Sequence, residues 1–293
     1  MELAAYRELS GPYIVRTFGY ATRHLPANSV RSATTQFMIL MEFMGRGSLQ
    51  NLLEQQPNQV SLRRKLTLSR QIAAGMRRIH EHGMIHRDIR PDNVLITENY
   101  IAKIGDMGIA RVLDPAGKQT QMGCIQFMPP EFFQDTKDGQ IQCDEKLDIY
   151  TYGLTLNQVF TETMHDFRFA APKPRVTLRK ISPVFYDDII LPCMDSNPKR
   201  RPTAAHIENT LEMFEQAFGE MMTTDAYIRM NTNDKNRAFI RFYEDNRVRI
   251  QRFLKEKLSS SSSTIEIPVQ VSVSNQAAAS KKQAPVEDPC RIN

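Results

Sequence analysis

Short strand-like runs give way to helical patterns between the first residue and about Phe218. Phe37-Met38-Ile39-Leu40-Met41 has the length and residue types of a buried strand. Gly45-Arg46-Gly47 breaks the chain after it, and Ser48 then stands as the N-cap of a short helix carrying Leu49, Leu52 and Leu53. Ser61 caps a longer helix whose Leu62, Leu66, Ala73, Met76 and Ile79 share one buried face, and Gly83 can end it. Val94-Leu95-Ile96 and Ile101-Ala102-Lys103-Ile104 flank the polar turn Thr97-Glu98-Asn99 and read as a hairpin. Leu147 to Phe160 is apolar on several faces, as a helix buried within a domain is. Ile207, Leu211, Phe214 and Phe218 recur at helical spacing between Thr203 and Phe218, so that helix packs on one side.

After Phe218 the character changes. Lys235 to Leu258 is rich in arginine but retains Phe239, Phe242, Val248, Ile250 and Leu254, and is expected to form a helix or helix pair outside the main core. From Ser259 a serine run leads into a polar tail ending at Asn293, with the composition of disorder. No internal repeat is visible.

Composition changes this picture only a little. A chain of 293 residues, 41% of them hydrophobic, can bury one or two ordinary cores. The net charge of +5 is mild, and part of it sits between Arg237 and Lys257; it can help acidic partners associate but is no nucleic-acid signature. Around Arg247-Val248-Arg249 a solvated helix face is the plainer reading than a site for acidic partners or lipids. Cys124, Cys143, Cys193 and Cys290 lie far apart, with no metal or disulfide spacing, which fits reduced thiols and an intracellular, cytoplasmic location. The N-terminus lacks the apolar core of a signal peptide. The run Phe37 to Met44, interrupted by Glu42, is too short to span a bilayer, so a soluble protein with no transmembrane segment is expected.

The chemistry lies in His86-Arg87-Asp88-Ile89-Arg90-Pro91-Asp92-Asn93, followed by Asp106-Met107-Gly108 and Pro130-Glu131. Asp148-Ile149-Tyr150-Thr151-Tyr152-Gly153 and Arg201-Pro202 come later. These motifs, in this order, resemble the eukaryotic protein kinase family: a catalytic loop, a metal-binding turn, the end of the activation segment, a buried helix start and a late Arg-Pro pair. The resemblance covers roughly Met1 to Phe218. It implies an α+β, protein kinase-like fold with a mainly helical C-lobe and an incomplete N-lobe sheet. Residues 1–45 then form a partial N-lobe (the end of helix C, two strands and the hinge), 46–218 the C-lobe, 219–258 a basic helical extension and 259–293 a disordered tail.

The family's reaction needs positioning and charge neutralisation more than covalent help. By resemblance, Asp88 accepts a hydrogen bond from the substrate hydroxyl and takes its proton, and the Arg90 cation faces the transferring phosphoryl group. Asn93 and Asp106 supply oxygens to Mg²⁺, a hard cation suited to them. Glu42-Phe43-Met44 resembles the hinge that meets the adenine of ATP through its backbone, with Met41 as gatekeeper and Leu95 beneath the ring. Glu131 pairs with Arg201, and Asp148 hydrogen-bonds the catalytic-loop backbone. Arg87 sits where a phosphate on the activation segment is gathered, with Thr120 as candidate phosphosite; His86 is a core residue beside Met107 and no general base.

The chain also departs from the family pattern. No Gly-rich loop or Val-Ala-Ile-Lys-type strand precedes the hinge, and the sequence opens within helix C, where counting back from Gly11-Pro12-Tyr13-Ile14-Val15 puts Glu2 at the helix glutamate without its lysine partner. Two strands, Tyr13 to Tyr20 and Phe37 to Met41, would leave an unpaired edge and an apolar face. A fragment of a longer kinase, a truncated gene model, or a product that has lost ATP binding is the expectation this sets. Met107 replaces a phenylalanine, Tyr150 a tryptophan and Pro129 an alanine. Cys124 replaces a threonine, and its thiol is a poorer hydrogen-bond partner for Asp88 and Arg90. Phe167 to Pro183 is short for the substrate-docking helix of that region.

Two functions stay open on the sequence. One is a protein kinase of the tyrosine-kinase-like branch, as Gly45-Arg46-Gly47-Ser48-Leu49 suggests, using ATP and Mg²⁺ on a protein substrate and acting with other signalling proteins. Ile89-Arg90-Pro91-Asp92-Asn93 keeps a Ser/Thr-like proline, while Arg90 leans toward tyrosine. The other is a pseudokinase or scaffold that binds proteins through the C-lobe.

Overall fold

The computed structural model describes residue 9 and residues 11–25, 34–106, 111–112, 124–133, 144–169 and 175–259. The fold is of the α+β class, and helices carry most of its core. Helix α1 (Leu49–Gln55) starts on Ser48, whose hydroxyl accepts from the Asn51 amide, and buries Leu49, Leu52 and Leu53. Helix α2 (Leu62–Glu81) starts on Ser61 in the same way, with the hydroxyl accepting from the Arg64 amide. It ends as expected at Gly83, which takes φ +64° while its N–H closes on the His80 carbonyl.

Helix α3 (Lys146–Thr161) is buried at every position from 147 to 160. An all-round buried helix needs a partner for each polar side chain. Tyr152 Oη donates to the Ser69 carbonyl (3.0 Å), Thr155 Oγ1 to the Ile89 carbonyl (3.0 Å), and Gln158 Nε2 to Gln50 Oε1 (2.7 Å). Asn157 donates to the Lys180 carbonyl and accepts from the Ser182 amide. Beyond its last turn Glu162 pairs with the buried Lys65 ammonium at 2.7 Å. Helix α4 (Ala204–Met222) is capped by Thr203, runs past residue 218, and packs along α2.

A short helix α5 (Asp225–Ile228) leads to α6 (Thr232–Ser259). The segment 235–258, expected outside the main core, is a single helix whose Phe239, Phe242, Tyr243, Ile250 and Leu254 are buried in it. Phe239 packs edge-on against Phe218 (centroids 4.7 Å apart) and Tyr243 against Phe185 (4.9 Å). Arg247 reaches Asp187 and Asp188 across that contact. The arginine density had hidden an apolar stripe at helical spacing; of the apolar residues named there, Val248 alone points outward.

Strands β1 (Thr17–Leu25) and β2 (Thr34–Met41) form an antiparallel pair running from Thr17↔Met41 to Leu25↔Thr34. β1 starts at Thr17, after the expected Tyr13, and runs on to Leu25, while β2 starts before the expected Phe37; Met38 to Met41 are exposed, Ile39 by 61% and Leu40 by 65%. An apolar run specifies a strand here without supplying a second layer to cover it. Strands β3 (Met84–Ile85) and β6 (Arg111–Val112) pair, as do β4 (Val94–Ile96) and β5 (Ala102–Ile104), the latter being the expected hairpin. Ile14 bridges to Ile104, and the Val15 amide donates to its carbonyl, so the chain before β1 is stitched to β5. In the short region 167–183, β7 (Asp166–Arg168) and β8 (Arg175–Thr177) pair antiparallel, and no helix occurs among its described residues.

Gly153 lies in α3 where the backbone meets the turn 190–194: a Cβ there would sit 2.8 Å from Cys193 Cβ and 3.3 Å from the Ile190 carbonyl oxygen. Gly153→Ala is therefore expected to destabilise by about 1–3 kcal/mol through overpacking, against a helix-propensity gain of about 1 kcal/mol. Chemical denaturation compared with the parent chain measures the balance.

Candidate active site

The segment between β3 and β4 is held from below by one carboxylate. Asp148, on the first turn of α3, is fully buried and accepts from the backbone amides of His86 (2.8 Å) and Arg87 (2.7 Å) and pairs with His80 Nε2 (2.9 Å). Burial alone would raise its pKa. The His80 hydrogen bond and charge and the backbone donors overcome that and hold it below the usual carboxylate range. Arg87 adopts φ +72°, a conformation a residue with a Cβ takes at a cost of about 1–3 kcal/mol, and the two amide bonds to Asp148 fix it.

That turn presents Asp88. Its Oδ2 accepts from Arg90 Nε (3.1 Å) and Asn93 Nδ2 (2.6 Å), and its Oδ1 from the main-chain N–H of Cys124 (2.9 Å). Asn93 Nδ2 also reaches the Asp88 carbonyl at 2.8 Å. Arg90 continues to Asp92. Asp88 is 4% exposed, yet each carboxylate oxygen has a partner. His86 lies next to it but has both ring nitrogens engaged: Nε2 lies 2.8 Å from the Gly105 carbonyl, and Nδ1 faces the Asp88 amide at 3.3 Å. That pattern assigns the proton to Nε2 and gives the ring a bracing role, with no free nitrogen for base chemistry.

Gly105 ties the loop to the candidate metal residues: its N–H donates to the Asn93 carbonyl at 2.8 Å, and Asp106 follows at φ +49° with an exposed side chain. Because Asn93 spends its amide nitrogen on Asp88, its amide oxygen is the atom left for a cation. One amide oxygen and one carboxylate suit Mg²⁺, which keeps water and phosphate oxygens in its remaining positions. Consistently, no cluster of three or more His, Cys, Asp or Glu residues suited to a metal occurs among the described residues.

Around the expected hinge, Met44 is buried, Leu95 half-buried and Met41 exposed. The Glu42 amide is spent on the Arg16 carbonyl (2.9 Å) and the Met44 carbonyl on the Gly47 amide (3.0 Å). The side chain of Glu42, expected to matter little, braces the region. It accepts from the Arg16 amide (2.6 Å), and both its oxygens meet Lys103 Nζ at 2.8 Å. Burial would raise the Glu42 pKa, but the Lys103 and Arg16 donors lower it. Lys103 was missed by sequence reasoning; a lysine between buried Ala102 and Ile104 signals an outward side chain but not its partner.

Glu131 and Arg201 form the expected ion pair, at 2.6 and 2.7 Å. The Arg201 side chain is completely buried and also donates to the Asp195 and Lys146 carbonyls while lying over the Tyr150 ring. The thiol of Cys124 was expected to face Asp88; the bond is made by its backbone instead. Glu2, Met107 and Thr120 lie outside the described residues, so the helix-C, core and phosphosite readings for them rest on sequence.

Comparison with known proteins agrees with this geometry. The family model for protein tyrosine and serine/threonine kinases matches residues 1–211, and the chain belongs to that family. A probable serine/threonine-protein kinase of Dictyostelium discoideum is 27% identical over 220 residues, covering 72% of this chain and 34% of that protein. A probable serine/threonine-protein kinase of Arabidopsis thaliana is 28% identical over 228 residues, 73% of this chain and 21% of its own length. The interferon-induced, double-stranded RNA-activated protein kinase of Rattus norvegicus is 30% identical over 202 residues, covering 64% and 38%. The chain thus spans between 21% and 38% of the length of these relatives. No helix among the described residues is long and apolar enough to cross a membrane.

Asp148→Asn should cost about 3 kcal/mol at neutral pH, because amide donors that now meet a carboxylate lose their charge-assisted partner. Asp148's folded pKa is depressed, so the stability it adds is complete above the unfolded carboxyl value of about 3.9 and is lost as pH falls through the lower folded value. Urea titrations across pH should therefore show the gap between parent and variant closing only below about pH 4.

Proposed function

We propose that this domain transfers the γ-phosphoryl group of ATP to a hydroxyl of a protein substrate, serine or threonine favoured over tyrosine. The observation that carries the reading is the convergence of Arg90, Asn93 and the Cys124 amide on the Asp88 carboxylate. Oδ1 has two lone pairs and Cys124 takes one, which leaves an acceptor site for the incoming hydroxyl. Asp88 orients that hydroxyl and takes its proton, and the Arg90 guanidinium beside it offers positive charge where the phosphoryl group passes. Asn93 and Asp106 would hold Mg²⁺, which when bound neutralises phosphate charge. Glu42 O and Met44 N, which carry no described hydrogen bond, are the main-chain pair for adenine, with Met41 and Leu95 beside the ring.

In this reading Glu131–Arg201 anchors the end of the activation segment, Asp148 and His86 support the loop, and Arg87, Thr120, Met107 and Glu2 keep the roles their motifs imply. The serine/threonine preference is supported by the similarity to probable serine/threonine-protein kinases of Dictyostelium discoideum and Arabidopsis thaliana and by Pro91. Membership of the tyrosine-kinase-like branch is supported by Gly45-Arg46-Gly47-Ser48-Leu49, where Gly47 takes φ +66° and Ser48 caps α1. We assign 1–45 to the N-lobe side, 46–218 to the C-lobe, 219–258 to a helical extension docked on that lobe, and 259–293 to a tail. A cytoplasmic setting among signalling proteins fits ATP as co-substrate.

Asp88→Asn should lower kcat for a serine- or threonine-containing protein by about 10²–10⁴-fold with Mg-ATP binding retained. Asp106→Asn should raise the Mg²⁺ concentration needed for half-maximal rate. Radiolabel transfer and thermal shift with millimolar Mg-ATP check both. Transfer unaffected by Asp88→Asn, or no Mg-ATP binding by the parent chain, rejects the reading.

A further inference from the structure

We propose that the main-chain N–H of Cys124 is a positioning group for phosphoryl transfer, which fixes the plane of the Asp88 carboxylate from the backbone of a distant segment. This rests on the transfer reading above. Two of the three donors to Asp88 come from its own loop, and both end on Oδ2. A carboxylate held at one oxygen can still turn about its last torsion, which is broad for such groups. The described partner of Oδ1 is the amide of Cys124, 36 residues along the chain. With both oxygens held, the remaining Oδ1 lone pair has one direction, and that direction is where the substrate hydroxyl must lie.

The donor is itself held in place. Cys124 has φ −65° and ψ 116°, and its carbonyl accepts from the Phe127 amide at 2.9 Å, opening the single turn Ile125–Phe127. Phe127 is buried against Tyr150 and Leu154 of α3, and the edge of His165 meets its ring at 4.8 Å. His165 Nε2 in turn donates to the Gln126 carbonyl at 2.8 Å. The turn is thus clamped on both sides, and the clamp sets where the 124 amide points. The thiol is not needed for any of this. A chain with cysteine here keeps a held base because the bond uses a group every residue except proline possesses.

Proline isolates the group. Its ring fixes φ near the value Cys124 already has, and it keeps the carbonyl that Phe127 uses, so Cys124→Pro removes the N–H with little change to the turn. The comparison is the full chain, Cys124→Ala, Cys124→Ser and Cys124→Pro, assayed with Mg-ATP and a serine- or threonine-containing protein. The alanine and serine variants, which conserve the N–H, should hold kcat within about threefold of the parent, whereas proline should lower kcat by about 10–100-fold, the worth of a hydrogen bond to a charged group. KM for ATP should stay within about twofold for the proline variant, since the interaction lost belongs to the hydroxyl side of the site.

Amide hydrogen exchange supplies a readout free of turnover: the Cys124 N–H should exchange about tenfold or more faster in Asp88→Ala than in the parent. An alanine variant as slow as the proline one would assign the effect to the thiol and overturn the proposal. So would a proline variant with unchanged kcat, or one that loses thermal stability and raises KM for ATP as much as it lowers kcat. Equal exchange rates in parent and Asp88→Ala overturn it as well. Absence of any Asp88-dependent transfer in the parent defeats the transfer reading, while the exchange comparison still judges the contact by itself.

Discussion

A buried negative charge organises the candidate active site of this protein. Asp148 sits fully inside the fold, and three donors from two different segments converge on it: His80 from the last turn of α2, and the amides of His86 and Arg87. A carboxylate in that position is tolerable only while those donors stay in place, so the charge and the loop stabilise each other. The positive φ of Arg87 depends on the same bonds. Because Asp148 belongs to α3, the helix buried on every side, the loop inherits the rigidity of the most enclosed element in the structure.

Asp88, the carboxylate of the candidate site, is reached from above by a second set of constraints. Arg201, enclosed and bonded to Glu131 and two carbonyls, holds the segment 130–133 against the C-terminal part of the chain. A few residues earlier Phe127 enters the small apolar cluster on α3, and Cys124 meets Asp88. The ion pair, the aromatic anchor and the amide bond lie along one stretch of chain. Asp88 is therefore positioned between two elements that both refer back to α3. Glu42 and Lys103 perform a similar task, joining the chain before β1, the segment after β2 and β5, which leads directly to Asp106.

Much of this was legible in residue order. The caps at Ser48 and Ser61, the hairpin of β4 and β5, the enclosed helix α3 and the pairing of Glu131 with Arg201 follow from short-range pattern or from motif order. The reading failed where the outcome depended on what lay across the contact. Arginines in 235–258 suggested a helix outside the core, although its apolar stripe faces Phe185, Phe214 and Phe218. The apolar composition of β2 suggested burial, while the count of only two strands pointed to an uncovered apolar face, and the exposure of Met38 to Met41 follows the second expectation. Glu42 read as a backbone contributor until Lys103 appeared opposite it, and Cys124 read as a weak thiol partner when its amide makes the bond.

The sequence by itself determined the order of the family's motifs and which segments are helices or strands, because capping, periodicity and side-chain type are local properties read from near neighbours. Tertiary structure decided which face of α6 is buried, which oxygen of Asp88 each donor takes, and that one of those donors is a main-chain amide. Backbone amides are identical at every non-proline position, so no sequence pattern can mark the one that matters; only the packing of Phe127 against α3 brings the amide of Cys124 to Asp88.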